Sequence, residues 1–209
     1  MSDHSIEIEV SGMGRTTGYD RDTVLQSAME LFWARGYHST SLKDLERVLD
    51  MRPGSIYTAF GSKEALFCAA LDRYAINGQR NLAETLAKAQ SPIAGLAAHV
   101  RMIGRLMSGN PPSRACMMVK TLLETPDDDP VLRRTVERMM REVEAGFADA
   151  FRDARRAGEI PPGSNPERLA ARLQVSIFGL RAYAQRSDAG ENTQRLADDI
   201  AREIEALAV

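Results

Sequence analysis

The chain has 209 residues, 44% hydrophobic and 27% charged, which is enough apolar material for one large or two small packed domains. With 27 Lys/Arg against 29 Asp/Glu the net charge is -2, which excludes a surface coated throughout for nucleic acid but leaves room for a local one. No apolar run approaches the roughly 18 residues of a membrane span, the acidic start "MSDHSIEIEVSG" does not resemble a signal peptide, and the distant Cys68 and Cys116 form neither a CxxC nor a Cys/His cluster, so a cytoplasmic protein without disulfide, metal or cofactor is expected.

Residues 1–13 read as a disordered tail, with only the alternation Ile6, Ile8, Val10 hinting at a strand. From Asp20 onward the pattern is helical. Val24, Leu25, Ala28, Met29, Leu31 and Phe32 follow the 3.6-residue period, with Asp20 as N-cap and Gly36 as stop, giving a first helix over 21–35. Ser41 and Asp44 have the spacing of a capping box and open a short second helix over 41–48. Asp50 tolerates a left-handed turn, and Pro53 suits the first position of a third helix over 53–59. After the break at Gly61, Ser62 caps a long fourth helix. Prolines and glycines then divide the remainder into helices over 92–108, 113–124, 128–157, 165–186 and 191–207. The fold class is all-α: a three-helix N-terminal domain over 14–62 and a larger helical domain over 63–209.

Two short helices joined by a tight turn, the second opening at Pro53-Gly54-Ser55, have the form of a helix-turn-helix whose second helix enters a DNA major groove. Gly54 permits close approach of a phosphate backbone, and a helix N-terminus offers free amides to anions. Arg52 can pair bidentately with guanine, Ser55 and Thr58 are less selective readers, and Tyr57 and Lys63 would position the backbone.

These residues carry a family resemblance. Phe32, Gly36-Tyr37, Thr40-Ser41, Leu45, Gly54-x-Ile56-Tyr57 and Phe60-x-Ser62-Lys63-Glu64-x-Leu66 together resemble the DNA-binding domain of the TetR family of transcriptional regulators. The resemblance implies an all-helical homodimer that binds a palindromic double-stranded DNA operator, most often as a repressor, and is released by a small ligand held in the C-terminal domain. It also implies DNA contacts from Arg15, Thr40, Ser41, Arg52, Pro53, Gly54, Ser55, Tyr57, Thr58 and Lys63. Two departures stand out: Leu49-Asp50 where many relatives have Ala-Gly, and Arg52-Pro53 where many have Ser-Lys. Residues 14–63 are nearly neutral, with seven Lys/Arg and six Asp/Glu, so affinity is expected to need both subunits.

Farther along, Arg114-Ala115-Cys116-Met117-Met118-Val119 resembles the Arg-Gly-Cys-Leu-Leu-Val stretch of one subgroup, in some members of which the cysteine senses electrophiles or oxidants. Arg114 and Lys120 would favour the Cys116 thiolate if they lie close to it; a small buried hydrophobe is the alternative. An effector pocket is expected among His99, Met102, Cys116, Met117, Phe147, Phe151, Phe178 and Tyr183, because soft Met and aromatic side chains suit an apolar cavity. Leu169, Leu173, Ile177 and Leu180 form one apolar stripe, and Leu196, Ile200 and Ile204 another, the expected seam of a four-helix dimer interface.

Two other classes compete. An enzyme on a helical scaffold finds no Glu-x-x-His, HExxH, phosphate loop or dinucleotide fingerprint among three histidines, His4, His38 and His99. A helical ligand-binding or interaction protein that has lost operator binding remains compatible with the near-neutral head.

Overall fold

A computed structural model describes residues 20–125 and 129–209; Arg15 and the tail lie outside them. The described residues form nine helices and no strand: α1 (Arg21–Arg35), α2 (Leu42–Leu49), α3 (Pro53–Phe60), α4 (Lys63–Lys88), α5 (Pro92–Ser108), α6 (Met117–Glu124), α7 (Pro130–Arg156), α8 (Pro166–Tyr183) and α9 (Asn192–Glu205).

Local chemistry sets most of these boundaries. The Asp20 side chain accepts from Asp22 N at the start of α1, Ser62 caps α4, Ser91 caps α5, Asp129 caps α7 and Asn165 caps α8. Each cap satisfies an amide the helix itself leaves unpaired. Pro53, Pro92, Pro130 and Pro166 each stand in a first turn, where a missing N–H costs nothing. The helix expected from 113 begins only at Met117, because the segment from Pro111 to Cys116 is pinned in irregular form by side chains of other helices, among them Trp33 and Arg181.

Two apolar clusters make the core. The first joins Phe32, Leu45, Ile56, Leu66, Phe67 and Leu71 to Met117, Met118, Val136 and Met139. It therefore crosses residue 62 without a break and fastens α6 and the start of α7 to the three N-terminal helices. Phe32 is at its centre, edge-on to Phe67 at 5.0 Å, and truncating such a ring costs about 3–5 kcal/mol. The second cluster gathers Leu96, Val100, Ile103, Phe147, Phe151, Leu173, Ile177, Ala197 and Ala201 between α5, α7, α8 and α9. Here α5 and α9 run antiparallel and close together, with Arg101 bonded to Glu205 at 2.6 and 2.9 Å. Gly104 faces Ala197 so tightly that a Cβ at 104 would lie 2.4 Å from the Ala197 Cβ.

This packing corrects the expected dimer seam. Leu173, Ile177, Leu180 and Ile204 are buried inside their own subunit, and Leu169 and Ile200 are half-buried against the same cluster. Leu196 alone of that set is exposed. The stripes turn inward because the second cluster needs them to close over Phe151 and α5. The outward face of α8 instead carries Arg172, Val175, Gly179 and Ala182, with Leu196, Asp199 and Glu203 on α9.

Candidate DNA-reading surface and effector cavity

The α2–α3 turn is built by three residues. Asp50 takes the left-handed conformation, φ 49° and ψ 44°, and donates its N–H to Glu46 O. Met51 is buried and donates to the same carbonyl at 3.2 Å. Arg52 then opens α3, its carbonyl accepting from Ser55 N and Ile56 N at 2.9 and 3.1 Å. Ile56 and Phe60 bury one face of α3, which forces Pro53, Gly54, Ser55, Tyr57 and Thr58 outward into solvent.

That outward face is chemically unspent. Tyr57 is 45% exposed, and among the described residues neither its hydroxyl, nor Ser55, nor the Arg52 guanidinium has a side-chain partner. The Thr58 hydroxyl donates back to Gly54 O at 2.8 Å, leaving its oxygen free to accept. At Gly54 a Cβ would meet nothing within 4 Å. A glycine inside a helix costs about 0.5–1 kcal/mol relative to alanine, and nothing in the chain's own packing requires one there. Lys63, at the first position of α4, lies over the Tyr37 ring at 4.3 Å, and partial burial lowers its pKa. It is thus a held cation beside a helix N-terminus.

Thr40 and Ser41 do not match the expectation equally. Thr40 is fully buried and donates its hydroxyl to Gly36 O at 2.7 Å, closing the end of α1; it is corrected from a phosphate contact to an internal cap. Ser41 is exposed but forms both halves of a capping box with Asp44. The Ser41 hydroxyl and amide, followed by Arg35, hold the Asp44 carboxyl down at about 2. The N-terminus of α2 already carries its own anion.

A cavity of about 680 Å³ opens between α1, α4, α5, α7 and α8, with Cys116 and Met118 on one wall. Of the expected residues His99, Met102, Cys116, Phe147 and Phe178 line it. Three do not: Met117 fills the first core cluster and Phe151 the second, while Tyr183 lies under the Arg186 guanidinium at 5.2 Å. Among the lining residues not foreseen in the sequence are Trp33, Tyr74, Gln174 and Arg181. A signal was present in the spacing of Gln174, Phe178 and Arg181, which sets two polar residues on an apolar helix face; Trp33 and Tyr74 carried none beyond being large and aromatic. A wider cleft of about 1060 Å³ beside α9 is open to solvent, and its Arg186 and Arg195 are already paired with Asp188 and Glu191.

The cavity is apolar with a few unsatisfied polar atoms. Tyr74 Oη, His99 Nδ1 and Arg181 Nη2 are all buried without a hydrogen-bond partner. Burial, and then the Arg181 charge, lowers the His99 pKa to about 4, so the imidazole is neutral at physiological pH. Burial, then the neighbouring Cys116 thiol, raises the Tyr74 phenol, which stays protonated. The cations expected beside Cys116 are engaged elsewhere: Arg114 Nε donates to Met107 O at 2.9 Å, and Lys120 Nζ to Trp33 O at 2.9 Å and Ala34 O at 3.2 Å.

Those last bonds link cavity and head. Trp33 Nε1 donates to Ala115 O at 2.7 Å, and Lys120 of α6 holds the last carbonyls of α1. Through these bonds the wall at Ala115–Cys116 is joined to α1, which shares its core with α2 and α3.

Comparison with known proteins matches the same two regions. Residues 24–70 fit the family of bacterial regulatory proteins, tetR family, and residues 92–200 fit the Tetracyclin repressor-like C-terminal domain. The HTH-type transcriptional repressor ComR of Escherichia coli K12 is 27% identical over 198 residues, 94% of each chain. An uncharacterised HTH-type regulator of Bacillus subtilis 168, YezE, is 29% identical over 71% of this chain and 76% of its own. Among solved structures, a cysteine mutant of the TetR family regulator CifR complexed with 26 bp operator DNA superposes with a TM-score of 0.79 at 30% identity, covering 93% of this chain and 100% of that one. A TetR regulator from Chloroflexus aurantiacus gives 0.77 at 26% identity, over 90% and 95%.

Proposed function

The chain belongs to the tetR family of bacterial regulatory proteins and is a DNA-binding transcriptional regulator, and from that premise we propose that it acts in the cytoplasm as a repressor, reading a palindromic operator with α3 of two paired subunits and leaving it when the central cavity fills. The outward face of α3 carries this reading: Arg52, Ser55 and Tyr57 have no side-chain partner there, and Gly54 leaves open the space a phosphate backbone would need. Arg52 reads a base edge, Tyr57 and Lys63 position the backbone, and the α4 N-terminus adds amides. The two subunits pair through the outward faces of α8 and α9 and set their α3 helices roughly 34 Å apart, one turn of DNA.

Release follows from differential affinity. A ligand that fits the cavity better in the geometry that does not bind DNA shifts the population toward it by that preference, and the Trp33–Ala115 and Lys120–α1 bonds give the shift a physical route. Thiol modification at Cys116 is a second route, supported by its place on the cavity wall. Treatment with a maleimide separates the two: operator affinity unchanged by a modified Cys116 removes the thiol route.

The test is fluorescence anisotropy on the DNA beside the protein's own gene, with a scrambled duplex as control, at two salt concentrations. Sequence-dependent binding that weakens with salt is expected, since neutralised phosphates release counterions. Tyr57→Phe should weaken binding to all duplexes alike, whereas Arg52→Ala should relax the preference at one base pair, by about 1–3 kcal/mol. Uniform losses for both variants would overturn the roles given to them. Binding no better than the scrambled control leaves two readings: an operator elsewhere in the genome, or a head that no longer reads DNA, as in the competing ligand-binding reading.

A further inference from the structure

We propose that the ligand of the central cavity is a monocarboxylate with an apolar body, its carboxylate seated on Arg181 and Tyr74. The inference rests on the reading of that cavity as the effector site. Arg181 is only 9% exposed, and no carboxylate pairs with it among the described residues. Its compensation inside the protein is thin. Nε donates to Arg114 O at a long 3.3 Å, the guanidinium lies 5.6 Å from the Trp33 ring and 5.9 Å from the Tyr74 ring, and Nη2 is unsatisfied. A buried cation left in that condition destabilises the fold unless something supplies an anion, and a planar guanidinium matches a carboxylate with two parallel hydrogen bonds.

The acids on the cavity wall do not fill this role. Glu142 and Asp149 are exposed and held by Arg138 and Arg152 at 2.6 Å each, and exposed Glu30 accepts from Gln26 at 2.8 Å. Around the guanidinium the Tyr74 hydroxyl, without a hydrogen-bond partner in the fold, offers a further donor, and neutral His99 adds no second charge. One positive charge calls for one negative charge. Most of the remaining wall surface, with Met102, Phe147 and Phe178 in it, is apolar, and about 680 Å³ is ample for a drug-sized ligand.

The chain's one tryptophan, Trp33, lines the cavity, so its fluorescence reports entry of a ligand. Full-length protein is titrated with 4-phenylbutyrate and decanoate, each against its neutral carboxamide, and the affinities are checked by calorimetry. Both acids are expected to saturate and to bind roughly tenfold or more tighter than their amides, a gap that Arg181→Gln abolishes and Tyr74→Phe narrows. Should Arg181→Gln fail to fold, the narrowing in Tyr74→Phe decides. Acid and amide binding alike, no saturation by either acid at millimolar concentration, or a gap that survives Arg181→Gln would each overturn the proposal. Operator anisotropy on the same samples keeps the two readings apart. Operator binding intact with no acid bound sinks the ligand class alone; acid bound tightly with operator affinity unchanged supports the ligand class and sinks the effector role.

Discussion

Gly54 and His99 show how single residues divide stability from function. Gly54 lies in the first turn of α3 with open space where a Cβ would go. Gly54→Ala should therefore raise stability by about 0.5–1 kcal/mol while weakening operator binding; a denaturant melt and an anisotropy titration of the same variant check both signs. At His99 the folded chain binds its proton only near pH 4, against 6.5 for the free side chain. Above about 6.5 the imidazole is neutral in both states and costs nothing. As pH falls toward 4 the unfolded chain takes up the proton first, so stability is lost across that window, up to about 3 kcal/mol. His99→Gln, which has no such proton, should show a shallower loss between roughly pH 7 and pH 4.5 in parallel melts.

At the scale of elements, caps and breakers in the sequence marked most helix ends, because an N-cap is a local matter between a side chain and amides two or three residues away. Asp20, Ser41, Ser62, Asp50 and the first-turn prolines all act where their chemistry implies. The start of α6 was misplaced since its preceding segment is held by distant partners: Trp33 lies 82 residues from Ala115 and Arg181 lies 67 from Arg114. Helix-to-helix approach is likewise illegible in one segment alone. Gly104 reads as a weak point in α5 until α9 is seen lying against it. Gly104→Ala must push α5 and α9 apart, and a loss of about 1–3 kcal/mol in a urea melt is the expected cost.

The whole molecule adds what neither residues nor helices contain. One core cluster binds the three N-terminal helices to α6 and α7, so the candidate DNA-reading surface and the cavity wall share one packed core rather than being joined by a linker. The proposed pairing of two such molecules uses the outward faces of α8 and α9, where Val175 is 69% exposed. Val175→Glu should shift the chain toward monomer in sedimentation velocity and reduce operator affinity, because each near-neutral head contributes few phosphate contacts by itself. Leu173→Ala should behave differently, lowering stability by about 2–5 kcal/mol through a cavity in the subunit's own core without touching the interface directly.

From the sequence alone came the all-helical class, the helix-turn-helix with its Arg52, Gly54, Ser55, Tyr57 and Thr58 face, and the family resemblance, since each depends on local periodicity, capping and spacing. Tertiary structure decided which side of each apolar stripe faces inward, because a 3.6-residue period shows that a face is buried but not against what. It also decided that Thr40 is an internal cap, that Met117, Phe151 and Tyr183 stand outside the cavity, and that Trp33, Tyr74 and Arg181 meet around it. Those three come from α1, α4 and α8 and are separated by more than a hundred residues of chain between first and last. Only packing brings a buried cation and its two ring faces to one place.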